Sequence, residues 1–158
     1  MRFAFCGLTK SNFILMTLKI TYFLFVMMEA KNMIYTSYFG AIRNLPKNII
    51  PISICGKAPD NWKGLQYKKL APKYKFFMEW KKTHDNDFYV RHFNDEVLSS
   101  LAPSKVVEEL YEMSGGKDIV LVCYEIPSDF CHRHLVAKWL SDHGYPCTEI
   151  SIIREECN

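Results

Sequence analysis

The stretch Ile119–His143, IVLVCYEIPSDFCHRHLVAKWLSDH, decides the fold. It opens with a continuous apolar run rich in β-branched residues, the pattern of a strand buried on both faces. The polar loop EIPSD interrupts it, and from Cys131 the apolar residues Leu135, Val136, Trp139 and Leu140 recur at helical spacing until Gly144 stops the helix. A buried strand feeding directly into a helix is half of a parallel α/β unit, and ligands in such sheets bind beyond the carboxyl ends of the strands. Glu125, Cys131, His132, Arg133 and His134 all fall at that junction.

Outward from this unit, strands and helices alternate. MIYTSYF from Met33 and NIIPISIC from Asn48 suit strands, with a short turn or helix at Ala41–Leu45 between them and Pro51 marking a bulge or strand start. Lys57–Leu70 carries turn formers and no periodicity, so it reads as a long loop. Helices are predicted after Pro72, where Phe76, Phe77 and Trp80 share a face, then over 87–101, then from Pro103 to the Gly115-Gly116 stop. Cys147–Ile153 forms a last strand. The sum is a single-domain α/β sandwich: a small, mostly parallel, Rossmann-like sheet with helices on both faces. Its carboxyl edge would bring together Ser37–Gly40, Gly56–Tyr67 and Glu125–Arg133.

With 158 residues, 49% hydrophobic and 23% charged, the chain suits one globular domain. A net charge of +3 tolerates an anionic ligand but lacks the strongly basic footprint of a dedicated nucleic-acid binder. The six cysteines form no C-x-x-C pair and no disulfide framework, so reduced thiols and a cytoplasmic location are expected. Cys55 and Cys123 read as small core residues, whereas Cys131, after a polar loop, is expected nearer solvent. The apolar run Phe13–Met28 holds Lys19 in its middle and is shorter than the roughly 20 residues a membrane span needs. Residues 1–32 are therefore read as an extension outside a domain over 33–158, with no membrane partner.

A thiol at a helix N-terminus beside His132 or Arg133 has its thiolate favoured. The same amides suit an anion, with Arg133 as a bidentate clamp. Cys131, His132 and Glu125 are the candidate catalytic groups, as nucleophile, proton carrier and base. Arg133, His134, Ser37, Tyr38, Trp62 and Tyr67 are the candidate substrate contacts, with Tyr38 and Trp62 flanking a base or ring. Successive helical residues point about 100° apart, so Cys131, His132 and Arg133 cannot all face one ligand in a regular first turn. Taken singly, each of these side chains is as readily a packing residue, and Trp62 as readily a buried lid anchor. A metal reading would use Cys123, Cys131 and a histidine, but the spacing matches no familiar zinc pattern, and no metal or other cofactor is assigned.

The stretch LVCYEIPSDFCHRHLVAKWL resembles the signature of domain-of-unknown-function family 488, an LLCYE-like strand, a proline loop and CHR opening a helix. IYTSYFG, WKG followed by YKKLAP, and EVLSSL extend the likeness over roughly 33–150. The resemblance implies functional weight at Cys123, Glu125, Cys131, His132 and Arg133, without an established general reaction. The function expected is a small-molecule enzyme, a hydrolase or transferase, on a nucleotide, sugar-phosphate or related anionic substrate. The alternatives are a non-catalytic nucleotide or nucleic-acid binding module, and a thiol redox or metal-binding protein.

Overall fold

The structure is a computed structural model and describes residues 32–150. The extension expected over 1–32 and the end of the last strand beyond Ile150 lie outside the described residues. Five strands, β1 (Ile34–Tyr38), β2 (Ile50–Ser53), β3 (Leu65–Gln66), β4 (Ile119–Cys123) and β5 (Cys147–Glu149), form one sheet in the order β3-β2-β4-β1-β5. Every pairing is parallel. The α/β class expected from the alternation holds, and the sheet is wholly parallel. β3 lies inside the stretch expected as loop, because a two-residue edge strand is too short to display periodicity.

β4 occupies the centre, and all five of its residues are buried. Side chains alternate along it, which splits the core into two layers. Ile119 and Leu121 face four helices, α1 (Tyr74–Thr83), α2 (Asn86–Glu96), α3 (Pro103–Ser114) and α4 (His132–Asp142), and pack with Phe76, Phe93, Leu110 and Val136. Val120 and Val122 face the other side, where the 3-10 helix Phe39–Asn44 supplies Phe39 and Ile42. Helical segments thus lie on both faces, but all four described α-helices gather on one.

Topology explains this division. The β1-to-β2 connection runs in one direction along the sheet, and the β3-to-β4 and β4-to-β5 connections run in the other. Right-handed crossovers travelling in opposite directions must use opposite faces. The chain therefore leaves β4 towards the helices while the exit from β1 leads to the 3-10 side. Diverging exits from neighbouring strands open a crevice at their carboxyl ends.

Local chemistry sets the boundaries. Gly115 and Gly116 at positive φ close α3, and Asp85 caps α2 by accepting from the Phe88 amide at 2.9 Å. Pro51 is tolerated inside β2 for a directional reason: the Ile50 amide bonds Asp118 of the β4 side, so the Pro51 nitrogen points the other way. There β3 pairing begins only at Ile52.

Ser37, fully buried on β1, has no hydrogen-bond partner for its hydroxyl among the described residues. A buried unpaired hydroxyl costs about 1–3 kcal/mol. Ser37→Ala should accordingly leave stability unchanged or raise it by about 1 kcal/mol in urea unfolding; a clear loss would show that the hydroxyl is bonded.

Candidate active site

β4 ends at Cys123, whose thiol lies on the helical face by the same alternation as Ile119 and Leu121. The sequence reading of Cys123 as a small core residue holds: it is buried in a cluster with Cys55, Ala58 and Cys131. At the strand's end its thiol also meets the first turn of α4. Cys131 is the N-cap of α4 and His132 its first residue. The Sγ atoms of Cys123 and Cys131 and a ring nitrogen of His132 lie within 4.8 Å of one another.

His132 is held from behind. Its Nε2 lies 3.1 Å from the carbonyl of Ile54, and a carbonyl only accepts, so the ring proton sits on Nε2. Nδ1 then turns its lone pair to the Cys123 thiol, 3.8 Å away. Glu125 closes the group, its Oε2 accepting from Cys123 Sγ at 3.3 Å.

The electrostatics follow from this crowding. When its single proton turns from Glu125 to Cys131, Cys123 holds the Cys131 thiol well below the usual thiol range against the penalty of burial, with the first-turn amide of Arg133 helping. The partner moves the other way: the hydrogen bond to Cys131 and then burial raise Cys123. Burial, then the hydrogen bond with Cys131 and the charge on it, raise the Glu125 carboxyl. One thiolate, one thiol and a carboxyl biased towards its protonated form therefore share a site.

Two openings reach this group. A cavity of about 500 Å³ is lined by Cys55, Gly56, Lys57, Pro72, Tyr74, Phe77, Cys123, Tyr124, Glu125 and His132. A narrow cleft of about 20 Å³ exposes Cys131 between Phe77, Trp80, Tyr89, Phe130, Glu125 and His132. Phe130 packs against Trp80 and Tyr89 with ring centroids 5.6 and 5.2 Å away, so aromatic side chains from α1, α2 and the loop before α4 wall the thiol in. Cys131 is only 3% exposed. The expectation that it lies near solvent is thus corrected: its polar loop is capped by rings from distant segments.

Arg133 requires a larger correction. It is 0% exposed, and each of its three guanidinium nitrogens donates a hydrogen bond. Nη1 donates to the carbonyl of Glu125 at 2.5 Å, while Nε and Nη2 donate to the two carboxylate oxygens of Glu149 at 3.3 and 3.2 Å. Thr36 Oγ1 donates to the same carboxylate, and His134 Nε2 stands 3.8 Å from it. Burial works against the guanidinium's charge, and Glu149 overcomes that. Arg133 and His134 therefore serve Glu149, not an open anion site, and neither lines the cavity or the cleft.

The remaining expected contacts also sit elsewhere. The Tyr38 ring folds back over Gly40, where an added Cβ would lie 2.8 Å from it, and Trp62 covers Gly64 at 2.4 Å. Trp62 also donates to the Leu65 carbonyl and packs edge-on to Phe39, so these two rings do not flank the cavity. Tyr67 is 5% exposed, and its hydroxyl donates to Glu109 at 2.6 Å. Ser37 is fully buried within β1. Sequence reasoning instead missed Lys57, Tyr74, Phe77 and Tyr124 as lining, and Glu149 as anchor. A lone acid in the otherwise uncharged stretch CTEISII was the available signal for Glu149.

The family model DUF488-N3a, described as the active DUF488-N3 subclade, matches residues 35–144. The chain belongs to the DUF488 family. The matched span contains the Cys123–Arg133 motif, and the word active in the description points to catalysis. No curated protein and no solved structure matches the chain. Among the described residues of this DUF488 protein, no helix is long and apolar enough to cross a membrane.

Removing one partner of a buried ion pair strands the other charge, at a cost of about 3 kcal/mol. Glu149→Gln and Arg133→Ala should each lose stability on that scale in chemical denaturation. A change below about 1 kcal/mol in both variants would contradict the anchoring role.

Proposed function

We propose that the chain is an enzyme acting by covalent cysteine chemistry on a small nucleotide-like or related ring-bearing substrate. What carries the reading is the cluster of Cys123, Cys131 and His132 at a helix N-terminus, with their ligand-type atoms within 4.8 Å, beside a cavity of about 500 Å³. That volume suits a small molecule, and the lining is mostly apolar and aromatic. A flat ring would rest among Phe77, Tyr74 and Tyr124. Lys57, exposed and paired with Asp60 at 3.2 Å, is the lysine of that lining and would exchange this partner for a phosphate or other anionic group. The anion would meet Lys57 rather than Arg133.

In this reading the Cys131 thiolate attacks an electrophilic carbon that enters the cleft, forming a carbon–sulfur bond while the leaving group departs with the Glu125 proton. Water, deprotonated by Glu125 in the second half, releases the product and restores the thiolate; another acceptor in its place makes the enzyme a transferase. His132 keeps Cys123 pointed into the site, so that Cys123 donates to the attacking sulfur.

Alkylation by iodoacetamide, read by peptide mass spectrometry on chelator-treated protein, tests the nucleophile. Because Cys131 is lowered, its labelling rate should stay nearly flat between about pH 8 and pH 6, where an ordinary thiol slows about tenfold per pH unit. Cys147, pushed up to about 12 by burial and then by Glu149, should label far more slowly. Labelling of Cys131 no faster than that of Cys147 would remove the basis for covalent catalysis. Thermal-shift screening of nucleotides and sugar phosphates identifies the ligand class. With a hit in hand, Cys131→Ser should abolish turnover and keep binding, and Glu125→Gln should slow it about a hundredfold. Unchanged turnover in Cys131→Ser would leave a binding module as the better reading.

A further inference from the structure

We propose that Cys123, Cys131 and His132 form a site for one soft divalent cation, best matched by Zn²⁺, and that filling it withdraws Cys131 from attack. The donor set is two sulfurs and one imidazole, all three residues buried, with their ligand atoms within 4.8 Å of one another. Tetrahedral zinc, bound through sulfur at about 2.3 Å and nitrogen at about 2.0 Å, places its ligand atoms about 3.6–3.8 Å apart. Cys123 Sγ and His132 Nδ1 are already 3.8 Å apart. Closing around an ion requires a side-chain adjustment of about 1 Å or less at Cys131.

A second observation is independent of that spacing. Histidines that bind metals nearly always donate their other ring N–H to a carbonyl or carboxylate, which fixes the tautomer and aims the free nitrogen. His132 has this arrangement: Nε2–H is held by the Ile54 carbonyl at 3.1 Å, and Nδ1 faces the sulfurs. The second shell of a Cys₂His site is thus built before any ion arrives. Soft thiolate ligands favour zinc over magnesium or calcium, which prefer all-oxygen sets.

Three protein ligands leave a fourth tetrahedral position for water or a neighbouring carboxylate. Glu125 lies beside it, lining both openings and 3.3 Å from Cys123 Sγ. Binding replaces the thiol proton of Cys123, which leaves to solvent, so both sulfurs bind as thiolates. The lone pair that Cys131 would use for attack is then shared with the metal. Ligation lowers the nucleophilicity of that sulfur and the ion blocks its approach, so zinc occupancy is an off state. The ion site rests on ligand geometry alone; the off state rests on the cysteine chemistry proposed above.

The test uses chelator-treated full-length protein titrated with Zn²⁺ against a chromogenic chelator. One equivalent should bind with an affinity that Cys123→Ser and His132→Gln each weaken at least about a hundredfold, while Cys147→Ser leaves it unchanged. Co²⁺ should give the visible bands of a tetrahedral thiolate site in the wild type and lose them in Cys123→Ser. Because a buried substitution could unfold the chain, a third readout uses only wild type: one equivalent of Zn²⁺ should slow Cys131 alkylation at least about tenfold, reversed by chelator. Binding equal in wild type and in a folded Cys123→Ser, or no protection of Cys131, would overturn the proposal. Rapid alkylation of the metal-free protein with no zinc binding would sink the ion site and leave the thiolate chemistry standing.

Discussion

The buried guanidinium of Arg133 is the constraint on which the site depends. A charge with 0% exposure survives only with partners for its donors, and here one carboxylate and one main-chain carbonyl supply them. The consequence is geometric. Glu149 ties the first turn of α4 to the edge strand β5, and the bond to the Glu125 carbonyl holds the loop leaving β4 over that same turn. Thr36 on β1 joins the Glu149 carboxylate, so β1, β4, β5 and α4 meet at one ionic junction. The helix start cannot shift without stranding a charge, and the thiol at its N-cap inherits that rigidity.

Around this junction polar and apolar forces divide the work. The pair with Glu149 satisfies Arg133 outside the cavity, which leaves the cavity wall to Tyr74, Phe77 and Tyr124. Trp80, Tyr89 and Phe130 exclude water from Cys131, and a dry surround strengthens the hydrogen bond from Cys123. Low exposure would normally favour a neutral thiol. The Cys123 donor and the helix terminus outweigh it at Cys131, while Cys123 and Glu125 shift the opposite way because one charge in a small volume disfavours a second. The same compactness that separates these protonation states also brings three metal-type ligands within reach of one ion.

Much of the fold is legible in the residues. The continuous apolar run at 119–123, the helical spacing after Cys131, Pro103 with Gly115-Gly116 around α3, and the β-branched segments near Ile34 and Ile50 each correspond to an element. The location of the site at the β4–α4 junction is legible for the same reason, since Glu125, Cys131 and His132 line its openings. The partners of those residues are not. Tyr67 looks like a stacking residue beside its lysines, but its hydroxyl bonds Glu109 on α3, 42 positions away. Tyr38 and Trp62 look available for a ligand, but each covers a glycine two residues on. Such pairings depend on which segments the sheet order brings together.

By itself the sequence determined the local grammar: where strands and helices begin and end, and that a thiol, an imidazole and a carboxylate stand at a strand-to-helix turn. Backbone sterics and apolar periodicity act within a few residues, so they can be read from a single chain. Only the tertiary structure decided that Arg133 is buried against Glu149, that Cys131 is walled in by Trp80, Tyr89 and Phe130, and that the buried Cys123 meets His132. Those outcomes turn on crossovers that join β5 and β1 to α4, and α1 and α2 to the loop before it. Their energies come from desolvation and pairing between groups tens of residues apart, a property of the packed chain and not of any segment within it.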